Sequence, residues 1–178
     1  MTLEEFDRLF EEFRYTAFHL ETHAMYAMPE EDQRLRAFRQ GLPRPERSVR
    51  TTPWLQRVAL TTVQGKRWTR VHVIEHPLSE YLRYQLIGYI ESQAAGEEIH
   101  LADRGQHPEL TGLGPDFWLF DASTPHTFGA HLHFDGSGNL LCITDASEQE
   151  LKELCHQQEV ALAHSVSLAE YVATHKGA

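Results

Sequence analysis

The chain has 178 residues, a formal net charge of -10 and an ordinary globular balance of 41% hydrophobic and 24% charged residues. That length suits one domain with a core of its own, and no apolar run is long enough to span a bilayer. The acidic start Met1-Thr2-Leu3-Glu4-Glu5 is unlike a secretory leader, and Cys142 and Cys155 form no disulfide framework, so a cytoplasmic protein with no membrane contact is expected.

In chain order, Thr2-x-x-Glu5 is a capping box, and Leu3, Phe6, Leu9, Phe10 and Phe13 recur at helical spacing. Residues 18–23 alternate with period 2 and read as a short strand. Pro29 suits the first position of a helix that runs to Gln40 and stops at Gly41. The Pro- and Arg-rich stretch 41–52 divides an N-terminal helical arm, residues 1–50, from an α/β core, residues 51–178, within a single domain. Thr52-Pro53 opens the next helix, with Trp54, Leu55 and Val58 inward and Gly65 at its end. Residues 68–75 are a β-branched strand. Pro77-Leu78-Ser79 starts a helix with Leu82, Leu86, Ile87 and Ile90 apolar and Gly96 as its stop. A strand at 97–102 follows. Strand, helix and strand in that order imply a parallel pair with a right-handed crossover. Asp116-Phe117-Trp118-Leu119-Phe120-Asp121 is a short apolar run bounded by carboxylates, as in a buried strand. Residues 128–134 and 140–144 form a hairpin about Asp135-Gly136-Ser137-Gly138-Asn139. Ser147-x-x-Glu150 and Ser167-x-x-Glu170 cap two final helices, the first with Leu151, Leu154 and Leu162 inward. The expected fold is α/β: a mixed, α+β-type sheet of about five strands flanked by helices, behind the N-terminal arm.

These motifs carry a resemblance. Phe18-His19-Leu20-Glu21-Thr22, Arg70-Val71-His72-Val73 followed by Pro77-Leu78-Ser79-Glu80-Tyr81, Gly96-Glu97-Glu98-Ile99 and the 116–121 strand resemble an uncharacterised actinobacterial domain-of-unknown-function family over nearly the whole chain. That family more often carries Arg where His19 stands. Its members often occur near helix-turn-helix regulators, which implies a regulatory setting and such a regulator as partner. The core order is also similar to one half of a phospholipase-D-type domain, whose strand bears His-x-Lys-x-x-x-x-Asp. Laid on this chain, the Asp falls on Asp121, the Lys position on Asp116 and the His position on Gly114; no His-x-Lys occurs in the sequence. An acid in the phosphate-binding position repels a phosphodiester. The resemblance therefore implies a non-catalytic, phospholipase-D-like half-domain, without a cofactor, that senses a small ligand or docks a partner. It also implies a homodimer, because halves of that superfamily pair.

Among candidate ligand-binding residues, Asp121 is the retained acid and Trp118 shares its strand. Asp103 ends a parallel strand, where ligands gather in open α/β sheets. Tyr81, Arg83 and Tyr84 begin the crossover helix and could line an amphipathic cleft. Asp116 and Asp121, five apart, do not make an acid/base pair. Twelve histidines prompt an alternative, a metal-dependent enzyme. His19, Glu21 and His23 share a face if 18–23 is a strand, and His131 and His133 share a face of the hairpin. Such a set suits Zn, Fe or Ni, although His-Leu-Glu-Thr-His lacks the protease order H-E-x-x-H. Histidines at the surface or core edge are the other reading. Cys142 is expected in the core, and Cys155-His156, side by side on a helix, is no dyad. The net charge opposes nucleic acid; the arginine run Arg34, Arg36, Arg39, Arg44, Arg47 and Arg50 reads as a solvated helix face and linker.

Overall fold

The computed structural model describes residues 1–175. Helix α1 (Leu3–Glu12) leads into strand β1 (Thr16–Glu21). A single 3-10 turn at Pro29–Glu31 and helix α2 (Asp32–Arg39) follow, then α3 (Pro53–Val63), β2 (Arg67–Ile74), α4 (Glu80–Ala95) and β3 (Glu97–Asp103). A second 3-10 turn at Pro108–Gly112 precedes β4 (Asp116–Phe120), β5 (Phe128–Phe134) and β6 (Leu140–Asp145). Helix α5 (Glu148–Ala163), the two-residue β7 (Val166–Ser167) and α6 (Leu168–Thr174) complete the order. The predicted capping boxes at Thr2/Glu5 and Ser147/Glu150 both form, and Ser79 and Ser167 cap α4 and α6.

The strands make one mixed sheet in the order β6-β5-β4-β1-β2-β3-β7. β1, β2 and β3 are parallel, as the crossover reading requires, and β4, β5 and β6 run antiparallel to their neighbours. The sheet has seven strands where about five are expected, because β1 and the short β7 both join it.

The position of β1 also changes the expected organisation. It lies between β2 and β4 in the middle of the sheet, and five of its six residues are buried. Residues 1–50 are therefore not an arm beside the core: they supply a central strand. A central strand is covered on both faces, so its side chains are buried regardless of parity. α1 and α3 cover one face through Phe10, Phe13, Leu55 and Val58, which pack on Trp68, Trp118 and Phe120. α4 and α6 cover the same face over β2 and β3 through Leu82, Tyr89 and Leu168. α5 covers the opposite face, with Leu154 and Ala161 against Phe18, Leu20, Val71 and Phe117.

Two expected core positions turn out otherwise. Cys142 is exposed on the edge strand β6, whose buried residue is Ile143. In α4, Ile90 is 52% exposed, whereas Tyr81, Tyr84 and Tyr89 are buried.

Candidate functional site: a buried charge cluster under a strap

Strand parity builds the cluster. Parallel pairing sets His19 beside Arg70, and Glu21 beside His72. These four residues share one face, and Glu97 reaches the same place from β3, opposite Trp68. Arg70 Nη1 bonds Glu21 Oε1, and Arg70 Nε donates to Glu97 Oε1 at 2.8 Å. The other Glu21 oxygen accepts the Tyr89 hydroxyl at 2.6 Å and lies 3.2 Å from His72 Nδ1. His72 Nε2 meets the His23 carbonyl at 2.8 Å. Next to them, Asp116 accepts the Thr22 hydroxyl at 2.6 Å, the Thr22 amide at 2.9 Å and the Tyr26 hydroxyl.

Residues 22–50 close over this cluster as a strap. Tyr26, Met28, Leu35 and Phe38 pack on Tyr81 and Tyr84 of α4. Tyr81 donates to Glu31 at 2.8 Å. The arginine run is only partly the solvated face expected of it. Arg34 is buried and grips Glu91 of α4 with a fork of 2.6 and 2.7 Å. Arg47 donates to the Gly88 carbonyl at 3.0 Å and the Ser92 hydroxyl at 3.2 Å. A helical glycine exposes its carbonyl to such an approach, and two forked guanidiniums pin an otherwise irregular segment.

The charges inside are largely compensated. Burial pushes the Glu21 carboxyl up, but Arg70 and the two neighbouring imidazoles prevail and hold it well below the usual carboxylate range. Burial lowers the Arg70 guanidinium, and Glu21 and Glu97 outweigh it, raising its affinity for its proton. Asp116 is raised by burial, which its bonds from Thr22 and Tyr26 only partly offset. Burial also raises the Tyr26 and Tyr89 hydroxyls, reinforced by the adjacent carboxylates. These groups hold one another in fixed protonation states.

His19 and Glu97 are exceptions to full satisfaction. Both His19 ring nitrogens and Glu97 Oε2 are buried without a hydrogen-bond partner. His19 stacks flat on Trp118, with ring centres 4.2 Å apart and planes at 12°. Its pKa falls to about 3, because burial outweighs the opposing pull of Glu21, with smaller lowering contributions from Arg70 and His72.

An unfolded chain protonates His19 below its ordinary value of 6.5, while the folded chain refuses the proton until about 3. Stability is therefore lost as pH falls through this window, at up to about 1.4 kcal/mol per pH unit. His19→Phe keeps the stacking on Trp118 and removes the titration. Between pH 7 and pH 5 the variant should gain about 2 kcal/mol relative to the wild-type chain. Urea melts at the two pH values measure it; parallel losses in both proteins would show that His19 is not what titrates.

The other predicted site residues have mostly structural surroundings. Asp121 is fully buried at φ 49°, and its carboxylate accepts the backbone amides of Arg14 (2.8 Å), Tyr15 (2.6 Å) and Thr16 (3.0 Å). Trp118 is a core residue, edge-on to Phe10 at 4.9 Å. Tyr81 and Tyr84 do line a cleft, but the strap fills it. Arg83 lies exposed and donates to the Leu78 carbonyl at 3.2 Å. Asp103 caps the turn after β3, accepting Gly105 N and Gln106 Nε2 at 2.9 Å each. Neither Gly114 nor Asp116 offers the His or Lys of a phosphodiesterase.

The two histidine pairs do not converge. His19 pairs with Trp118, and Trp118 with Ala130, so the residue on β5 sharing the face of His19 is Ala130. His131 is in line with Phe117 and Leu20 and projects to the α5 side, where Glu150 lies 3.7 Å away. His133 bonds the Thr144 hydroxyl at 3.0 Å, and His23 packs edge-on to Tyr26 and Phe134. Within the first set only His19 and Glu21 approach, at 3.6 Å. Arg70, His72, Glu97 and Tyr89 escape notice in the sequence as site residues, although Arg70 and His72 alternate within a recognisable strand. Their meeting with Glu21 depends on which strand lies beside which.

A family model described as "Domain of unknown function (DUF6879)" matches residues 4–173. No curated protein and no solved structure matches the chain.

Proposed function

The chain belongs to the DUF6879 family, whose description assigns no activity, and from its own residues we propose a non-catalytic binding and regulatory module that senses a small polar ligand in the cytoplasm. The ligand lies under the 22–50 strap, with His19, Arg70 and Glu97 at its floor. One observation carries this reading: His19 and Glu97 flank Arg70 with buried polar atoms left unpartnered. Such atoms are costly unless something satisfies them, and a molecule with both donors and acceptors does so. The strap supplies the regulatory half of the idea. It is attached largely by side chains, among them Tyr26, Glu31, Arg34, Arg39 and Arg47, and by apolar packing on Tyr81 and Tyr84, so ligand entry requires releasing these contacts rather than unfolding the sheet.

The scaffold is proposed as phospholipase-D-like, supported by a mixed sheet flanked by helices and a parallel crossover. The reading excludes nucleophilic phosphodiester cleavage: Asp116, at the phosphate-gripping position, is buried and engaged by Thr22 and Tyr26. The partners proposed are a second copy, for which the outer edge of β6 with its exposed Leu141 is available apart from the Ile143 carbonyl, which accepts the Met1 amino group at 2.8 Å, and, on the family resemblance alone, a helix-turn-helix regulator. Light scattering at high micromolar concentration should give a dimer; a monomer there would remove the second copy from the scheme.

The ligand is tested with a panel of amino acids, nucleotides and sugar phosphates, read by ligand-observed NMR. At least one compound class should bind, and its binding should vanish in His19→Phe while the fold persists. If none binds, and a high-resolution crystal structure places ordered waters on His19 and Glu97, the small-ligand reading is wrong and partner docking replaces it.

A further inference from the structure

We propose that His107, Glu109 and His164 form a surface site for a borderline-soft divalent cation of the zinc class. It lies apart from the Glu21–Arg70 cluster, on the side of the sheet that α5 covers. One ligand atom from each of the three residues lies within 4.8 Å of the other two. The two imidazole centres are 4.8 Å apart. Two ligands on tetrahedral zinc stand about 3.4 Å apart, from bond lengths near 2.1 Å. The rings are half-buried and the carboxylate is exposed, which leaves side-chain rotation free to shorten that gap.

The fold explains why the three residues meet. His107 precedes the 3-10 turn Pro108–Gly112, and Glu109 lies within it. Leu110 of that turn is fully buried in the same apolar cluster as Ala161 near the end of α5. This shared packing brings the turn against the last turn of α5, where His164 is the C-cap residue. The carbonyl end of a 16-residue helix carries partial negative charge, so a cation there gains from the helix as well as from its ligands.

The donor set chooses the ion. Two imidazoles and one carboxylate suit zinc, nickel or copper better than magnesium or calcium, which prefer all-oxygen shells. Three protein ligands leave a fourth position to water or to an incoming group. When filled, the site ties the β3–β4 connection to α5, adding to the packing of Leu110 and Leu113 and to the Gly114 amide that donates to Gln157 Oε1 at 3.1 Å. This places a metal where the sequence reading does not look: none of His19, Glu21, His23, His131 or His133 belongs to it.

The test uses untagged full-length protein, stripped with chelator, and titration with Zn2+ and with Co2+ as a spectroscopic substitute. One equivalent should bind, and cobalt should show the intense visible bands of a four-coordinate ion. His107→Ala, His164→Ala and Glu109→Gln should each weaken binding at least about tenfold. All three lie at or near the surface, and a thermal melt without metal checks that they fold. Failure of the wild-type chain to bind either ion at micromolar concentration overturns the proposal. So does binding that is unchanged in the His107→Ala/His164→Ala double variant, which would assign the metal to other histidines such as His131 and His133. Tight binding retained by Glu109→Gln would overturn the three-ligand set.

Discussion

Replacing Asp121 with alanine is expected to lower the free energy of unfolding by about 4–5 kcal/mol. The carboxylate satisfies three successive backbone amides, those of Arg14, Tyr15 and Thr16, where the chain passes from α1 into the central strand. Without it these donors lose their partner in a place where the acceptor itself is fully buried. Alanine is also strained at φ 49°, by about 1–2 kcal/mol. Asparagine tolerates that backbone and keeps one oxygen for two of the amides. Asp121→Asn should therefore cost only about half as much. Urea denaturation of both variants gives the ordering. A loss below about 1 kcal/mol for Asp121→Ala would show that water replaces the carboxylate easily, and the residue would return to consideration as a ligand-binding group. The acid that the phospholipase-D resemblance retains is thus expected to act as a structural cap for β1.

Arg70→Met should cost a comparable 3–5 kcal/mol, roughly, because it leaves Glu21 and Glu97 facing each other without their shared cation. The pH dependence separates this loss from a simple packing defect. In the wild-type chain the Glu21 carboxyl is held well below 4.5, so its contribution is present above that value and fades as pH falls further. With Arg70 gone, burial dominates and pushes the carboxyl up. The variant then takes up a proton on folding, and its stability deficit should shrink as pH falls from 7.5 towards 5. A Glu21→Gln/Arg70→Met double variant should recover part of the loss, since one fewer buried carboxylate is then left unpaired. A deficit equal at both pH values, with no recovery in the double variant, would mean that Arg70 matters only for its packing against Tyr89.

The cluster and the fold were legible in the sequence to different degrees. The capping boxes at Thr2 and Ser147, the helix stop at Gly96, the parallel β2–α4–β3 unit and the β5–β6 hairpin were readable because each depends on residues close together along the chain. Residues 18–23 were readable as a strand, which in the structure runs Thr16–Glu21 and leaves His23 outside it, but not as the centre of the sheet. Strand character is local, whereas the choice of β2 and β4 as neighbours is settled by packing on both faces. The same limit governs the histidines. Spacing correctly puts His131 and His133 on one face. It carries no information on whether that face is the one His19 occupies, which depends on a register passed through β4.

The arginine run shows the other side of this. Six arginines within 17 positions, from Arg34 to Arg50, look solvent-facing when judged by composition. Two of them point inward because α4 offers Glu91, Ser92 and a bare carbonyl at Gly88. No periodicity within the run predicts that, since the acceptors lie more than 40 residues away.

By itself, then, the sequence determined a mixed α/β chain, the capping and termination of its helices, a parallel crossover and a hairpin, all through short-range hydrogen bonding and periodic burial. Only the tertiary structure decided that Asp121 turns back on the chain entering β1, that His19 and His131 face opposite sides of one sheet, and that Glu21, Arg70 and Glu97 share a buried network. The physical reason is that burial and charge pairing act through space. A residue's partner is whatever strand or helix the whole fold places beside it.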